Sequence, residues 1–218
     1  VIRLGVGIGA WHTEKRAGVD ERIQASLEEG QTSPVLLQRS NNAFFLALAA
    51  QLMDRSADAV RAGEMARSIL TEPKINPFVQ ANAAVAIGLA AVVTDDAEVA
   101  ARYYQHLQHL RGILAGWAFP LSGDRLLGLL AHAGGMRDEV AAHFEAALEF
   151  TGNAGYRMEV AWTCHDYAGT LLDSDEPGDR EKAIALRDRG IAIAVELGMK
   201  PLVGRFIALS GRLGATDP

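Results

Sequence analysis

Glu98-Val99-Ala100-Ala101-Arg102-Tyr103 returns 41 residues later as Glu139-Val140-Ala141-Ala142-His143-Phe144. Self-similarity at a period between 20 and 50 residues marks a chain built from stacked repeats. Val99 and Val140 share a column with Val19 and Ala59 upstream and Ala183 downstream, at spacings of 40, 40, 41 and 43 residues. Four residues on stand Ile23, Gly63, Tyr103, Phe144 and Arg187, and seven on stand Ser26, Ala66, His106, Ala147 and Gly190. Positions i, i+4 and i+7 share one face of a helix, so each repeat carries a stripe of mostly small or apolar residues.

A second set of columns precedes the first. Gly7, Ala47 and Gly128 lie twelve residues before the anchor, and Ala10, Ala50, Ala90 and Ala131 lie nine before it. The third repeat has Ile87 in the twelve-before column, with Gly88 next to it. Gly169 enters that column if the loop from Asp173 to Asp179 absorbs two extra residues, which loops tolerate better than helices do. Small residues there let two helices approach closely, since the interaxial distance follows the side chains at the crossing.

Helix pairs with small residues at these offsets resemble tetratricopeptide-type repeats, although their period is longer than the usual 34. The resemblance covers nearly the whole chain. It implies an all-α, right-handed superhelix of about five helix pairs plus a C-terminal capping helix. Two stretches resemble a narrower group: Lys182-Ala183-Ile184-Ala185-Leu186 through Glu196-Leu197-Gly198-Met199-Lys200-Pro201-Leu202, and Gly5-Val6-Gly7-Ile8-Gly9-Ala10-Trp11-His12. They are similar to the helical-repeat region of large bacterial signalling ATPases, the LuxR-type transcriptional regulators of the MalT kind, and of class III nucleotide cyclases with similar tails. This implies a non-enzymatic, effector-sensing or protein-interaction domain in signal transduction, relaying to ATPase, cyclase or DNA-binding parts outside the chain. A plain scaffold for protein association or homo-oligomerisation is the alternative expectation.

Composition narrows the partners. The net charge of −6 and pI near 5.5 provide no basic field for phosphate backbones, so direct nucleic-acid binding is not expected. Neutral or mildly cationic partners suit this balance. A hydrophobic content of 49% is ample for a stacked core. One cysteine, Cys164, leaves no internal disulfide framework, and with no signal peptide in view a cytoplasmic setting is expected. Val1-Ile2-Arg3-Leu4 opens inside a repeat without an initiating Met, so residues 1–218 are expected to form a single repeat domain cut from a larger protein.

Taken in order, apolar periodicity predicts paired helices near residues 2–13 and 18–29, 35–53 or 41–53 and 57–70, 77–93 and 95–114, 122–133 and 136–151, and 156–173 and 179–197, then a last helix from about Pro201 to Leu213. Pro34, Pro73 and Pro77 punctuate the first turns, and Gly134-Gly135 offers a left-handed close. The helix from Pro77 is apolar nearly all round. At about 16 residues, with Gln80 and Asn82 inside, it is too short and polar for a membrane span and is expected to be buried. Thr94 is the expected N-cap of the following helix. Leu202, Phe206 and Leu209 are expected to cover the end of the stack.

Chemistry-bearing motifs are sparse. His106 and His109 are three apart on one helix, but no further ligand joins them and the HExxH pattern is absent, so no metal site is expected. Cys164-His165-Asp166 has catalytic residue types, yet adjacent helical residues point about 100° apart, and a nucleophile must face its base. Gly5-Val6-Gly7-Ile8-Gly9 lacks the strand a dinucleotide fingerprint needs. No cofactor is expected. What remains is the concave groove that the resemblance implies, lined by the first helix of each pair. There the chain places Trp11, His12, Asn41, Gln51, Asn82, Arg125, His132 and Asp166, with Phe119 at the rim. The polar members offer hydrogen bonds to a peptide, protein partner or small effector, and Trp11 and Phe119 offer stacking.

Overall fold

The computed structural model describes residues 19–115, 121–174 and 176–214. Trp11, His12, Phe119, the expected helix at residues 2–13 and the Gly5–Gly9 stretch lie outside them. Among the described residues the chain is all-helical: α1 (Val19–Thr32), α2 (Leu36–Met53), α3 (Ser56–Leu70), α4 (Pro77–Val93), α5 (Ala97–His106), α6 (Gly123–Ala133), α7 (Arg137–Asn153), α8 (Arg157–Ser174), α9 (Asp179–Glu196) and α10 (Lys200–Gly214). Two short strands, β1 (Leu114–Ala115) and β2 (Leu121–Ser122), pair antiparallel. No helix among these is long and apolar enough to cross a membrane.

Consecutive helices pack on one another throughout. In addition α2, α4, α6, α8 and α10 touch in series, each meeting the next in that row. The first four helices of this inner row are buried on most sides, and α10 on one face. In α4, Val79 and every residue from Asn82 to Ala91 are buried, as its all-round apolar sequence requires. Trp162, Phe45, Phe144 and Phe206 are fully buried large side chains, each stabilising the fold by about 1.5–3 kcal/mol. The buried Leu202, Phe206, Leu209 and Leu213 of α10 cover the last pair.

The small-residue columns divide into two kinds. A Cβ at Gly128 would sit 3.0 Å from the Phe144 ring, and one at Gly190 would sit 2.3 Å from Phe206 and 2.9 Å from the Cys164 Cβ. Close packing explains both. A Cβ at Gly169 would meet nothing within 4 Å, so helix approach does not require glycine there.

Side-chain caps start α4, α5 and α6. Asn76 accepts from the Val79 N–H at 2.9 Å with Pro77 in the first turn of α4, and Ser122 accepts from Arg125 to start α6. Gly135, at φ 75°, makes the left-handed close after α6. The expected cap at Thr94 is corrected: its hydroxyl donates back to the Ala90 carbonyl, and Asp96 caps α5 through the Val99 N–H. The helix expected to run on to about Leu114 stops at His106. A 3-10 turn at Gln108–Leu110 follows, then Gly112 at φ 70°, whose N–H donates to Asp124 at 2.7 Å. A tertiary hydrogen bond, absent from any local pattern, fixes the turn that follows that helix.

Candidate functional site

Arg125 stands near the start of α6 with a fully buried side chain. A guanidinium removed from water must spend its donors on acceptors, and four contacts do so. Nε and Nη2 both lie 2.8 Å from Oδ2 of Asp166, Nη1 lies 3.0 Å from Oε2 of Glu159, and Nη2 lies 3.1 Å from Oε1 of Gln51. Gln51 lies in the last turn of α2, while Glu159 and Asp166 stand seven residues apart on α8, two turns along one face. The other Glu159 oxygen accepts the Ser122 N–H at 2.7 Å, and the other Asp166 oxygen accepts from Nδ1 of His165 at 3.0 Å.

One guanidinium cannot neutralise two carboxylates, and the two carboxyls separate accordingly. Burial pushes Glu159 up to about 7, against the opposing Arg125 charge. Burial acts the same way on Asp166, but the Arg125 charge and the His165 hydrogen bond outweigh it and hold Asp166 well below the usual carboxylate range. Arg125 itself stays charged, because the two carboxylates more than offset its desolvation. The cluster therefore carries little net charge in the interior.

Above it the ends of the inner row meet. Arg205 of α10 donates through Nη1 to the carbonyls of Leu52 at 2.6 Å and Gln51 at 3.4 Å. These are orphan carbonyls in the last turn of α2, where a cation also complements the helix dipole. The guanidiniums of Arg205 and Arg125 both lie against the Trp162 ring, 5.7 and 5.5 Å from its centroid. Between α2, α6, α8 and α10 opens a cleft of about 890 Å³. Leu52, Leu129 and Leu209 give it an apolar floor, and Asp54, His132, Asp166, Asp173, Arg205 and Arg212 bring charge. Gly169 and Gly204 face it, and a Cβ at either would meet nothing within 4 Å.

Of the residues expected in a groove, the structure gathers Gln51, Arg125 and Asp166 into the buried cluster and sets His132 on the cleft wall, 3.3 Å from Asp173. Asn41 and Asn82 stand apart from it. Asn82 donates to Asn41 at 2.8 Å, and both are buried. Sequence reasoning missed Glu159 and Arg205. The seven-residue step from Glu159 to Asp166 was a usable signal; nothing local marked Arg205.

A second constellation lines a cleft of about 730 Å³ beside α7. Asp124 Oδ1 lies 3.1 Å from Nδ1 of His143, whose Nε2 faces the Tyr104 hydroxyl at 3.1 Å and Arg111 Nη2 at 3.4 Å. Burial raises the Asp124 carboxyl, but the His143 hydrogen bond and the Gly112 N–H outweigh it and keep it ionised. An ionised carboxylate only accepts, so Nδ1 carries the proton, and Nε2 faces Arg111 and Tyr104, whose hydroxyl donates to Glu139 Oε2 at 3.3 Å. No imidazole nitrogen is left to serve a substrate, and the group clamps the Gly112 turn to α7.

Cys164 is fully buried and its thiol is pushed up to about 11 by that burial, which keeps it from being a thiolate. His165 is turned to Asp166, with its ring edge-on to Trp162 and Phe206. His109 Nδ1 bonds the His106 carbonyl. Among the described residues no group of three or more His, Cys, Asp or Glu is placed to hold a metal ion. No protein-family model, curated protein or solved structure matches the chain.

Proposed function

We propose that this chain is a non-enzymatic recognition module of the tetratricopeptide-like, right-handed superhelical type, and that a small effector enters the cleft between α2, α6, α8 and α10. The observation that carries this reading is the construction of the cleft. Its walls come from both ends of the inner row, its apolar floor borders the satisfied ionic cluster at Asp166, and two helical glycines that no packing contact requires keep it open. Helical glycine costs about 1 kcal/mol relative to alanine, so open space is what these two positions gain. A ligand that binds only when α2 and α10 are joined favours that arrangement over an opened one. The resemblance of the last pair to signalling ATPases supplies the rest of the proposal: a cytoplasmic setting and a relay to output domains outside the chain.

The test is a thermal-shift screen of sugars, nucleotides, organic acids and amino acids, run in parallel on the native chain and on Gly204→Trp. The variant fills the cleft from an open helical position without entering the core. A compound that stabilises the native chain and loses that effect in Gly204→Trp supports the reading. Stabilisation that is equal in both proteins, or found with no compound, contradicts it and favours the plain scaffold.

A further inference from the structure

We infer that the cleft selects an amino-acid zwitterion with an apolar side chain, an inference that rests on the recognition reading above. The argument is a charge inventory of the cleft wall. Asp20 is taken by Arg55, Asp166 by Arg125 and His165, and Asp173 by His132 and Arg212. Two charges on the wall remain without an opposite charge in contact among the described residues: the cation Arg205 and the anion Asp54.

These two share one rim. Arg205 Nη1 holds the carbonyl of Leu52, two residues before Asp54. Arg205 is only partly buried, and no described hydrogen bond uses its Nε or Nη2. A guanidinium of that kind matches a carboxylate, which it can take with two parallel N–H groups. Asp54 is exposed, in left-handed backbone at φ 56° directly after α2. It matches an ammonium. An α-amino acid carries both groups on one carbon, and its side chain then falls toward Leu52, Leu129 and Leu209. Such a ligand has no net charge, which suits an acidic chain whose cleft has one free charge of each sign.

The experiment is isothermal titration of the 218-residue chain with L-leucine, L-isoleucine, L-methionine and L-phenylalanine. Controls are 4-methylpentanoate, which lacks the ammonium of leucine, and 3-methylbutylamine, which lacks its carboxylate. The expected result is saturable binding of at least one amino acid with Kd below about 1 mM, and binding weaker by about tenfold for either control. Asp54→Asn, which tolerates the left-handed backbone, weakens the amino acid to the level of 4-methylpentanoate. Arg205→Lys, which keeps a donor for the Leu52 carbonyl but loses the parallel N–H pair, weakens it to the level of 3-methylbutylamine. No saturable binding at 20-fold above that limit, about 20 mM, overturns the inference, as does binding indifferent to Asp54→Asn. A sugar or nucleotide that binds and is lost in Gly204→Trp also overturns it, while leaving the recognition reading intact.

Discussion

Arg125 and Asp166 are joined through a 2.8 Å hydrogen bond across 41 residues, the period that separates the two copies of the Glu-Val-Ala-Ala motif. Asn41 and Asn82 are joined at the same separation, at 2.8 Å. Equivalent positions on neighbouring inner helices face each other, so a polar residue in one repeat finds its partner in the next. Removing Arg125 breaks this relation at its centre. Arg125→Met leaves Glu159 and Asp166 buried without their cation, which costs about 3–5 kcal/mol. Urea denaturation at pH 7.5 measures it, and a loss below about 1 kcal/mol would mean that the cluster is more hydrated than described.

The pH dependence of stability follows from the two carboxyls. Glu159 titrates near 7 in the folded chain against an ordinary 4.5, so the folded state holds the proton more tightly. Stability from this group is full below about 4.5 and falls as pH rises to 7. Asp166 is depressed, so its contribution is full above its ordinary range and is lost at lower pH. Unfolding free energy is expected to drop by about 2–3 kcal/mol between pH 5 and pH 8 through Glu159. Glu159→Gln should flatten that slope, and a slope unchanged by the substitution would refute the assignment.

The glycines of the inner row make a matched pair of predictions. A Cβ at Gly123 would lie 1.9 Å from the Leu110 carbonyl oxygen, a backbone atom that cannot step aside. Gly123→Ala should destabilise by about 3 kcal/mol. Gly169→Ala meets nothing and should stabilise by about 0.5–1 kcal/mol. Thermal melts of the two variants check the contrast directly.

Cys164 tests the rival in which Cys164, His165 and Asp166 do chemistry. With its thiol near 11 against an ordinary 9, the thiolate fraction at pH 8 is about a hundredfold below that of a free cysteine. An aromatic disulfide reagent should label the native chain only through opening, at a rate that rises with urea. Fast labelling at zero urea would revive the nucleophile.

The repeat made much of this legible. The columns locate the inner helices, and their register alone places Gln51, Arg125 and Asp166 among the polar residues of the inner face. Their burial was not legible, because it depends on how far the row curls. That is fixed by α10 reaching α2 through Arg205 and Leu52, residues 153 apart. Glu159 falls one period after Ala118, which has no charge to suggest a partner. Apolar periodicity continues through Leu110 and Leu114, past the true end of α5 at His106, and the turn beyond is held at Gly112 by Asp124 from the next repeat. The column alone marks Gly169 as a packing residue, but the space around it is open, because the column records sequence register and not the local approach of helices.

The joining of α2 to α10 is what creates the cleft, and a distance across it is the most direct test. Nitroxide labels at Ser56→Cys and Ile207→Cys, both exposed positions, in a Cys164→Ala background, report it by pulsed dipolar spectroscopy. An open row separates its ends by four helix-to-helix steps of about 10 Å, roughly 40 Å in all. The joined arrangement predicts a single narrow distribution within roughly 25 Å, label arms included, widened by Arg205→Gln. A broad distribution centred near about 40 Å in the native chain would contradict the account.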